Sequence, residues 1–215
     1  MPIRITPLVN GQIYHIYNRG SEKRWIFEEQ RDYKRFIKTL IYYQLSGPKP
    51  KLSHYFQYQS FKPESATKIV EVLAYCLMPN HFHLILKQLT DGSITEMMSK
   101  LSLSYTKYFN TKYRRVGPLF QGEFKSVLVE SDEQFIHLSR YIHLNPLVSY
   151  LVNDLKKYKW SSYLEYLNLT QSNICQKNQI QDFFTSHIEY EQFVLDQSGY
   201  ALELEIIKHQ LLEVV

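Results

Sequence analysis

The sequence predicts an α+β fold: a ferredoxin-like, or split βαβ, antiparallel sheet with helices on one face and a helical appendage at the C-terminal end. Three observations predict it. Four short segments have the alternation or the β-rich composition of strands. Two longer segments, after the first and third strands, place apolar residues at helical spacing. The resulting order β, α, β, β, α, β, with one more helix after it, is that of the split βαβ sandwich.

The first strand and first helix lie near the start of the chain. In "GQIYHIYNRG" the side chains of Ile13, His15 and Tyr17 point to one face and those of the residues between them point to the other. Arg19-Gly20 ends the strand. Residues 28–45 carry apolar side chains at helical spacing until the Ser-Gly-Pro sequence that follows them. Residues 46–66 show no clear period, and we predict a surface excursion there.

A hairpin and a long helix are predicted next. The β-rich runs "IVEVLAYCLM" and "HFHLILK" are joined by Pro79-Asn80, which is typical of a β-hairpin. The segment "SITEMMSKLSLSYTKYFNTKY" follows as an amphipathic helix. Its Ser93 and Glu96 have the spacing of a capping box, so we expect Ser93 to cap this helix.

The last elements of the predicted sandwich are a strand and a helix. "GEFKSVLVE" alternates as a strand, and "SDEQFIHLSRYIHLN" begins with Ser131 or Asp132 as a cap. Pro146 is expected to end this helix at Asn145 because proline cannot continue the hydrogen-bond pattern. Residues 182–212 have a helical pattern as well.

Charge, hydropathy and cysteine content limit the classes of protein to which this chain could belong. The chain of 215 residues has a net charge of +4, although the segment from Gln181 onward contains seven acids and one lysine. The basic remainder favours a polyanionic partner, with solubility alone as the open alternative. No apolar run approaches the roughly 18 residues of a membrane span, and no secretory leader is visible, so we expect an intracellular, cytoplasmic protein without a membrane partner. Two cysteines are too few for a disulfide framework or an all-thiolate zinc site, so metal ligands would be His, Asn, Gln or carboxylates.

His81 and His83 form the first candidate site. Residues i and i+2 of a strand point to the same face, so these two imidazoles project together at the start of a strand. Such a pair is half of a metal site. A pair of structural histidines, or a surface coincidence, remains open from the pattern alone.

A polar stripe on the last predicted helix could supply the other half. His137, Tyr141 and Asn145 recur at every fourth position, along one helix face. Tyr141 beside two imidazoles and an amide oxygen would be a nucleophile next to an open site with N and O ligands, which suits Mg²⁺ or Mn²⁺. The alternatives are an ordinary amphipathic tyrosine and a helix C-terminal asparagine.

Several motifs together resemble the HUH single-tyrosine transposases, and within them the branch of REP-associated tyrosine transposases. His81-Phe82-His83 in "YCLMPNHFHLIL" matches the HUH motif, and "RYIHLNP" matches the setting of the family's catalytic tyrosine. "YHIYNRG", "SLSYTKYFNTKY", "GPLFQGEFKS" and "YKWSSYLEYL" match in the same order. The resemblance covers residues 11–167, so we divide the chain into a transposase-like domain, 1–167, and an acidic extension, 168–215.

The resemblance implies a single-stranded DNA endonuclease and strand transferase. Tyr141 would attack a phosphate to give a 5′-phosphotyrosine, with His81, His83 and Asn145 on a Mg²⁺ or Mn²⁺ ion. The implied substrate is single-stranded DNA with hairpins, and the implied protein is a monomer or a homodimer with its site built from one chain or two. The basic residues that we select as candidates for DNA contact are Arg19, Lys107, Lys112, Arg114, Arg115 and Lys125. Glu123 departs from the basic residue found there in many relatives.

Two other functions remain open. One is a noncatalytic, domesticated DNA- or RNA-binding module on the same fold. The other is a small metal-dependent phosphodiesterase in which water replaces the tyrosine. Retention of His81, His83, Tyr141 and Asn145 favours the transposase-type enzyme over the binding module.

Overall fold

The computed structural model describes residues 7–47, 50–57 and 67–199. The strands are β1 (Ile13–Arg19), β2 (Leu45–Ser46), β3 (Thr67–Lys68), β4 (Val70–Met78), β5 (His81–Gln88) and β6 (Lys125–Leu128). The helices are α1 (Gln30–Tyr43), α2 (Leu52–Gln57), α3 (Ser93–Lys112), α4 (Asp132–Val148), α5 (Tyr163–Tyr166), α6 (Asn178–Gln181) and α7 (His187–Leu195). Among the described residues, no helix is long and apolar enough to cross a membrane.

The main sheet has the strand order β4-β5-β1-β6, and β1 runs antiparallel to both of its neighbours. α1 lies in the chain between β1 and β4, and α3 lies between β5 and β6. Each helix therefore connects two strands that flank a third one, which is the split βαβ arrangement. The predicted fold class is confirmed. β2 and β3 form a separate two-stranded antiparallel ribbon.

The chain divides into two compact units. The first contains residues up to 72 and residues 79–129, and the second contains residues 73–78 and those from 130 onward. The first unit holds β1, β5, β6, α1 and α3, and the second holds α4 to α7 with the C-terminal part of β4. The division at residue 167, which separates the family-like segment from the acidic extension, stays a prediction.

The core of the first unit lies between the sheet and the helices α1 and α3. Phe36 of α1 contacts Phe82 of β5 and Tyr105 of α3, each with 5.1 Å between ring centroids. Tyr14 and Ile16 of β1 are fully buried on the same side of the sheet as Phe82. Because side chains alternate along a strand, His15 and Tyr17 of β1 and the histidines of β5 project from the opposite face.

A buried carboxylate joins α1 to α3. Asp32 is fully buried and accepts hydrogen bonds from the Glu28 and Glu29 amides and from the hydroxyls of Tyr108 and Tyr113. The ammonium of Lys112 pairs with the same carboxylate. Burial alone would raise the pKa of Asp32, but the Lys112 and tyrosine hydrogen bonds outweigh burial and hold that pKa below 3.8.

We expect Asp32→Asn to lower the free energy of unfolding by about 3–5 kcal/mol at pH 7, because it leaves the partly buried Lys112 without its main counterion. Glu29→Gln, which removes the exposed partner of the same lysine, should cost at most about 1 kcal/mol. Denaturant unfolding measures both. Since folding lowers the pKa of Asp32, its contribution should be complete above pH 3.8 and lost as the pH falls through the folded-state value. Equal losses in the two variants would contradict the assignment.

One local prediction in the first unit, the capping box of α3, was wrong. The N-cap of α3 is Gly92, at a φ of 69°, and Ser93 is already the first helical residue with a buried hydroxyl that makes no hydrogen bond. Glu96 instead pairs with Lys100 one turn later, so no capping box forms. The excursion predicted for residues 46–66 contains α2, while residues 48–49 and 58–66 lie outside the described part of the chain.

The second unit is organised by tyrosine hydroxyls that bond the backbone of β4. Tyr158 donates to the Leu77 carbonyl and Tyr166 donates to the Leu73 carbonyl, both at 2.6 Å. The buried Glu165 accepts hydrogen bonds from the amides of Ile174 and Cys175 at 3.0 Å. These bonds fix the segment that follows α5 and precedes α7.

Helix α4 begins as predicted and ends later than predicted. The Ser131 hydroxyl accepts a hydrogen bond from the Gln134 amide at 3.1 Å, so Ser131 is the cap. The helix continues through Pro146 to Val148. A proline so near the C-terminus removes one donor only, and the Ser149 amide still bonds the Asn145 carbonyl at 2.9 Å. Of the helical pattern at 182–212, α7 is observed, and residues 200–212 lie outside the described residues.

Candidate functional site

The two histidines of β5 lie on the sheet face opposite α1 and α3. In the β1–β5 register, Arg19 lies opposite His81 and Tyr17 lies opposite His83. The His81 and His83 rings are 5.0 Å apart between centroids and nearly perpendicular. The structure therefore places both imidazoles side by side, as the period of the strand predicted.

The turn that precedes β5 is held from several sides. The Pro79 carbonyl accepts the Ile26 and Phe27 amides at 2.7 and 3.1 Å, and the Asn80 carbonyl accepts the Gly20 amide at 2.8 Å. Gly20 cannot be replaced freely, because a Cβ there would collide with the Arg24 carbonyl. The "NRG" sequence after β1 thus fixes the backbone from which His81 projects.

Each histidine has a hydrogen-bond partner at its Nδ1 atom. His81 Nδ1 lies 2.6 Å from the Asn80 side-chain oxygen, and His83 Nδ1 lies 2.8 Å from His15 Nε2. An amide oxygen only accepts, so His81 Nδ1 donates and its Nε2 atom carries the lone pair. Histidines that bind metal commonly donate their other ring N–H to such a partner.

All three imidazoles of this face are neutral near neutral pH. Burial lowers the pKa of His15 and of His81 to about 4, with the charge of Arg19 adding to the effect at His81. The pKa of His83 lies well below its ordinary value, mainly because the ring is buried. The neighbouring imidazoles and Arg19 lower it further. Neutral imidazole is the form that binds a divalent ion, so these donors fit a divalent-metal site. In the described part of the chain, no group of three or more His, Cys, Asp or Glu residues is arranged as a metal site.

Tyr141 and Asn145 lie one turn apart on α4 in the second unit. Tyr141 is 52% exposed, and the Asn145 amide nitrogen donates to the Tyr141 carbonyl at 2.8 Å. That bond identifies the nitrogen of the carboxamide, so the oxygen is the atom left to act as an acceptor or ligand. His137, the third member of the predicted stripe, contacts Arg140 and the ring of Phe193.

A buried histidine anchors α4 from its other side. His143 is fully buried, with Nδ1 2.7 Å from the Tyr190 hydroxyl and Nε2 2.7 Å from the Ser162 hydroxyl. Ser162 in turn accepts the Tyr75 amide at 2.9 Å. This network fixes the rotation of α4 about its axis within the second unit, and with it the direction in which Tyr141 leaves the helix. The sequence reasoning missed His143.

The six candidate DNA contacts fall into different surroundings. Arg19 and Lys125 are exposed on β1 and β6, and the Lys125 ammonium lies 6.0 Å from the centroid of the Tyr17 ring. Arg114 is exposed at a φ of 51°, and Arg115 donates to the Asn110 side chain at 2.9 Å. An open groove between α1 and α3 has a lining rich in cations and hydroxyls, namely Arg31, Arg35, Ser104, Lys107, Tyr108, Thr111 and Lys112.

This chain is similar to a known protein family and to solved structures. Residues 53–145 match the family model described as "Transposase IS200 like". A solved REP-associated tyrosine transposase, bound to a REP hairpin, superposes with a TM-score of 0.55 at 14% identity, covering 86% of this chain and 96% of that one. A bacterial tRNA(His) guanylyltransferase-like protein in complex with GTP matches at a TM-score of 0.37 and 10% identity, over 66% of this chain and 67% of that one.

A search of curated proteins found no significant sequence match. The matched segment begins in α2 and ends at Asn145, so it contains both histidines of β5 and the Tyr141 turn of α4. The resemblance that the motifs indicated is confirmed. Residues 53–145 are similar to the IS200-like transposases, and the fold of the chain is shared with a REP-associated tyrosine transposase.

Proposed function

We propose that the protein is a single-stranded DNA endonuclease and strand transferase that acts in DNA transposition. His81, His83 and Asn145 would hold a Mg²⁺ or Mn²⁺ ion, and Tyr141 would be the nucleophile. The observation that supports this most strongly is the pair of neutral imidazoles at the start of β5, each with a partner at Nδ1. That pair lies within the IS200-like segment.

The proposed reaction exchanges one phosphodiester for another. The Tyr141 hydroxyl loses its proton as its oxygen bonds to phosphorus, and the bond from phosphorus to the 3′ oxygen breaks. The 3′ oxygen gains a proton and leaves as a free hydroxyl, while the 5′ side stays on the tyrosine. A divalent ion, when bound, supplies Lewis acidity toward a phosphate oxygen. The stored phosphotyrosine can then be attacked by another 3′ hydroxyl, which rejoins the strands.

His81 and His83 come from the first unit, and Tyr141 and Asn145 come from the second. The partners can come from one chain or from two chains of a homodimer. In either case the attacking phenol must lose its proton, and a divalent cation near it would favour that loss.

The proposed substrate is single-stranded DNA that contains a hairpin, as in the related structure bound to a REP hairpin. Arg19 and Lys125 flank the histidine face and would contact phosphates near the cleaved bond. Lys107 in the groove between α1 and α3 would contact phosphates elsewhere. Lys112 should contribute less because Asp32 and Glu29 already pair with it. Binding through such contacts should weaken steeply as salt rises.

The test uses the full chain and a pool of single-stranded oligonucleotides, each with a hairpin and randomised flanks. With Mn²⁺, we expect a covalent protein–DNA species on a denaturing gel that retains a label at the 3′ end of the DNA and loses one at the 5′ end. EDTA should abolish it. Cleavage without a covalent species would instead identify the water-using phosphodiesterase, and hairpin binding without cleavage would identify the noncatalytic module.

A further inference from the structure

A third imidazole contacts the histidine pair from the neighbouring strand. His15 projects from β1 on the same face as Tyr17, and its Nε2 atom lies 2.8 Å from Nδ1 of His83. The two rings are stacked, with 5.1 Å between centroids and 23° between planes. Tyr17 stacks on both of them, at 4.9 Å from His15 and 5.9 Å from His83. The contact is thus held by the register of two paired strands and by a third ring.

A nitrogen–nitrogen hydrogen bond of this length contains one proton, and either of the two nitrogens can be its donor. If His83 Nδ1 carries it, the lone pair of neutral His83 is on Nε2. If His15 Nε2 carries it, neutral His83 has its proton on Nε2, and that atom cannot bind a cation. Whether His83 Nε2 can act as a ligand therefore depends on which nitrogen, His83 Nδ1 or His15 Nε2, carries this proton.

His81 does not have this ambiguity. Its Nδ1 partner is the Asn80 side-chain oxygen, which accepts and never donates. His15 differs because imidazole can do either, so the two ligands of one proposed site are oriented by partners of different chemistry. A partner such as His15 must itself be neutral with its own proton on Nδ1 in order to accept from His83.

We propose that His15 is a positioning residue: it accepts the Nδ1 proton of His83 and so directs the lone pair of Nε2 toward the divalent ion. This proposal rests on the proposed metal site and adds a residue to it. In this proposal His15 acts through His83 and has no contact of its own with the DNA or the reacting atoms. Loss of a partner of this kind usually weakens metal binding by about 10–100-fold.

The variant His15→Phe removes the acceptor and retains a flat ring for stacking, and His15→Gln returns an acceptor near the position of Nε2. We expect Mn²⁺ affinity, measured by calorimetry or electron paramagnetic resonance on the full chain, to fall by about 10–100-fold in the Phe variant. The Gln variant should recover most of it. His187→Phe, at an exposed histidine of α7, is the matched control and should bind as the wild type does.

A second measurement determines which ring nitrogen of His83 carries the proton. In metal-free protein, long-range ¹H–¹⁵N correlation spectra distinguish His tautomers, and we expect His83 to carry its proton on Nδ1 in the wild type. A proton on Nε2 of His83, or unchanged Mn²⁺ affinity in His15→Phe, would overturn the proposal. Failure of the proposed function would give a different result: the wild type would bind no Mn²⁺ and form no adduct. The tautomer of His83 would still be measured, because that experiment uses metal-free protein.

Discussion

Replacement of Tyr141 by Phe is expected to abolish the covalent protein–DNA species, with a loss of at least about 10³-fold in its rate of formation. The substitution removes one oxygen atom from a side chain that is 52% exposed, so the folded structure should change little. Without the phenol oxygen no other atom of that residue can form the bond to phosphorus. The measurement is the labelled-oligonucleotide gel, with hairpin binding followed in parallel.

Tyr150→Phe is the matched control for that variant. Tyr150 follows the same helix, belongs to the same unit and is 63% exposed, so it loses the same atom in a similar environment. We expect adduct formation at the wild-type rate in this control. An adduct that persists in Tyr141→Phe, or one that disappears in Tyr150→Phe, would contradict the assignment of the nucleophile.

The double variant His81→Ala, His83→Ala is expected to lower Mn²⁺ affinity by at least about 100-fold, because it removes both imidazole ligands of the proposed site. Adduct formation should fall with it. His83 is buried, so thermal unfolding must show that the variant is folded at the temperature of the binding assay. Calorimetry with Mn²⁺ then measures the loss directly.

His137→Ala separates the proposed ligands from a neighbouring histidine. His137 belongs to the stripe that the sequence predicted on α4, but its ring contacts Arg140 and Phe193. We expect Mn²⁺ affinity to remain at the wild-type value in this variant. A loss in His137→Ala equal to that in the double variant would contradict the proposed ligand set.

The fold could be predicted because its signals are local. Alternation in β1, the Pro79-Asn80 turn and the helical spacing of α1 and α3 each depend on a few adjacent residues, and their order alone selects the split βαβ arrangement. The errors concerned the ends of helices. Ser93 and Pro146 are residues with strong positional preferences, but a glycine with positive φ replaced the expected cap of α3, and one lost donor did not end α4.

The candidate site was predictable only in part. The spacing of His81 and His83 placed them on one face because period two is a property of a single strand. The role of His15 depends on which atom faces Nδ1 of His83, and that requires the pairing register of β1 with β5. Asn80 adjoins His81 in the sequence, but its contact with Nδ1 depends on the side-chain conformation in the turn. His143 lies in the "RYIHLNP" motif, yet its partners Tyr190 and Ser162 come from distant segments that no local pattern connects.

The most direct measurement of the central claim is to identify the amino acid that carries the DNA. The adduct formed by the wild-type protein with Mn²⁺ is digested with nuclease and protease, and the modified peptide is sequenced by mass spectrometry. We predict a nucleotide on the phenolic oxygen of Tyr141, attached through a 5′ phosphate. A nucleotide on any other residue, or cleaved DNA with a free 5′ phosphate and no modified peptide, would contradict the proposed mechanism.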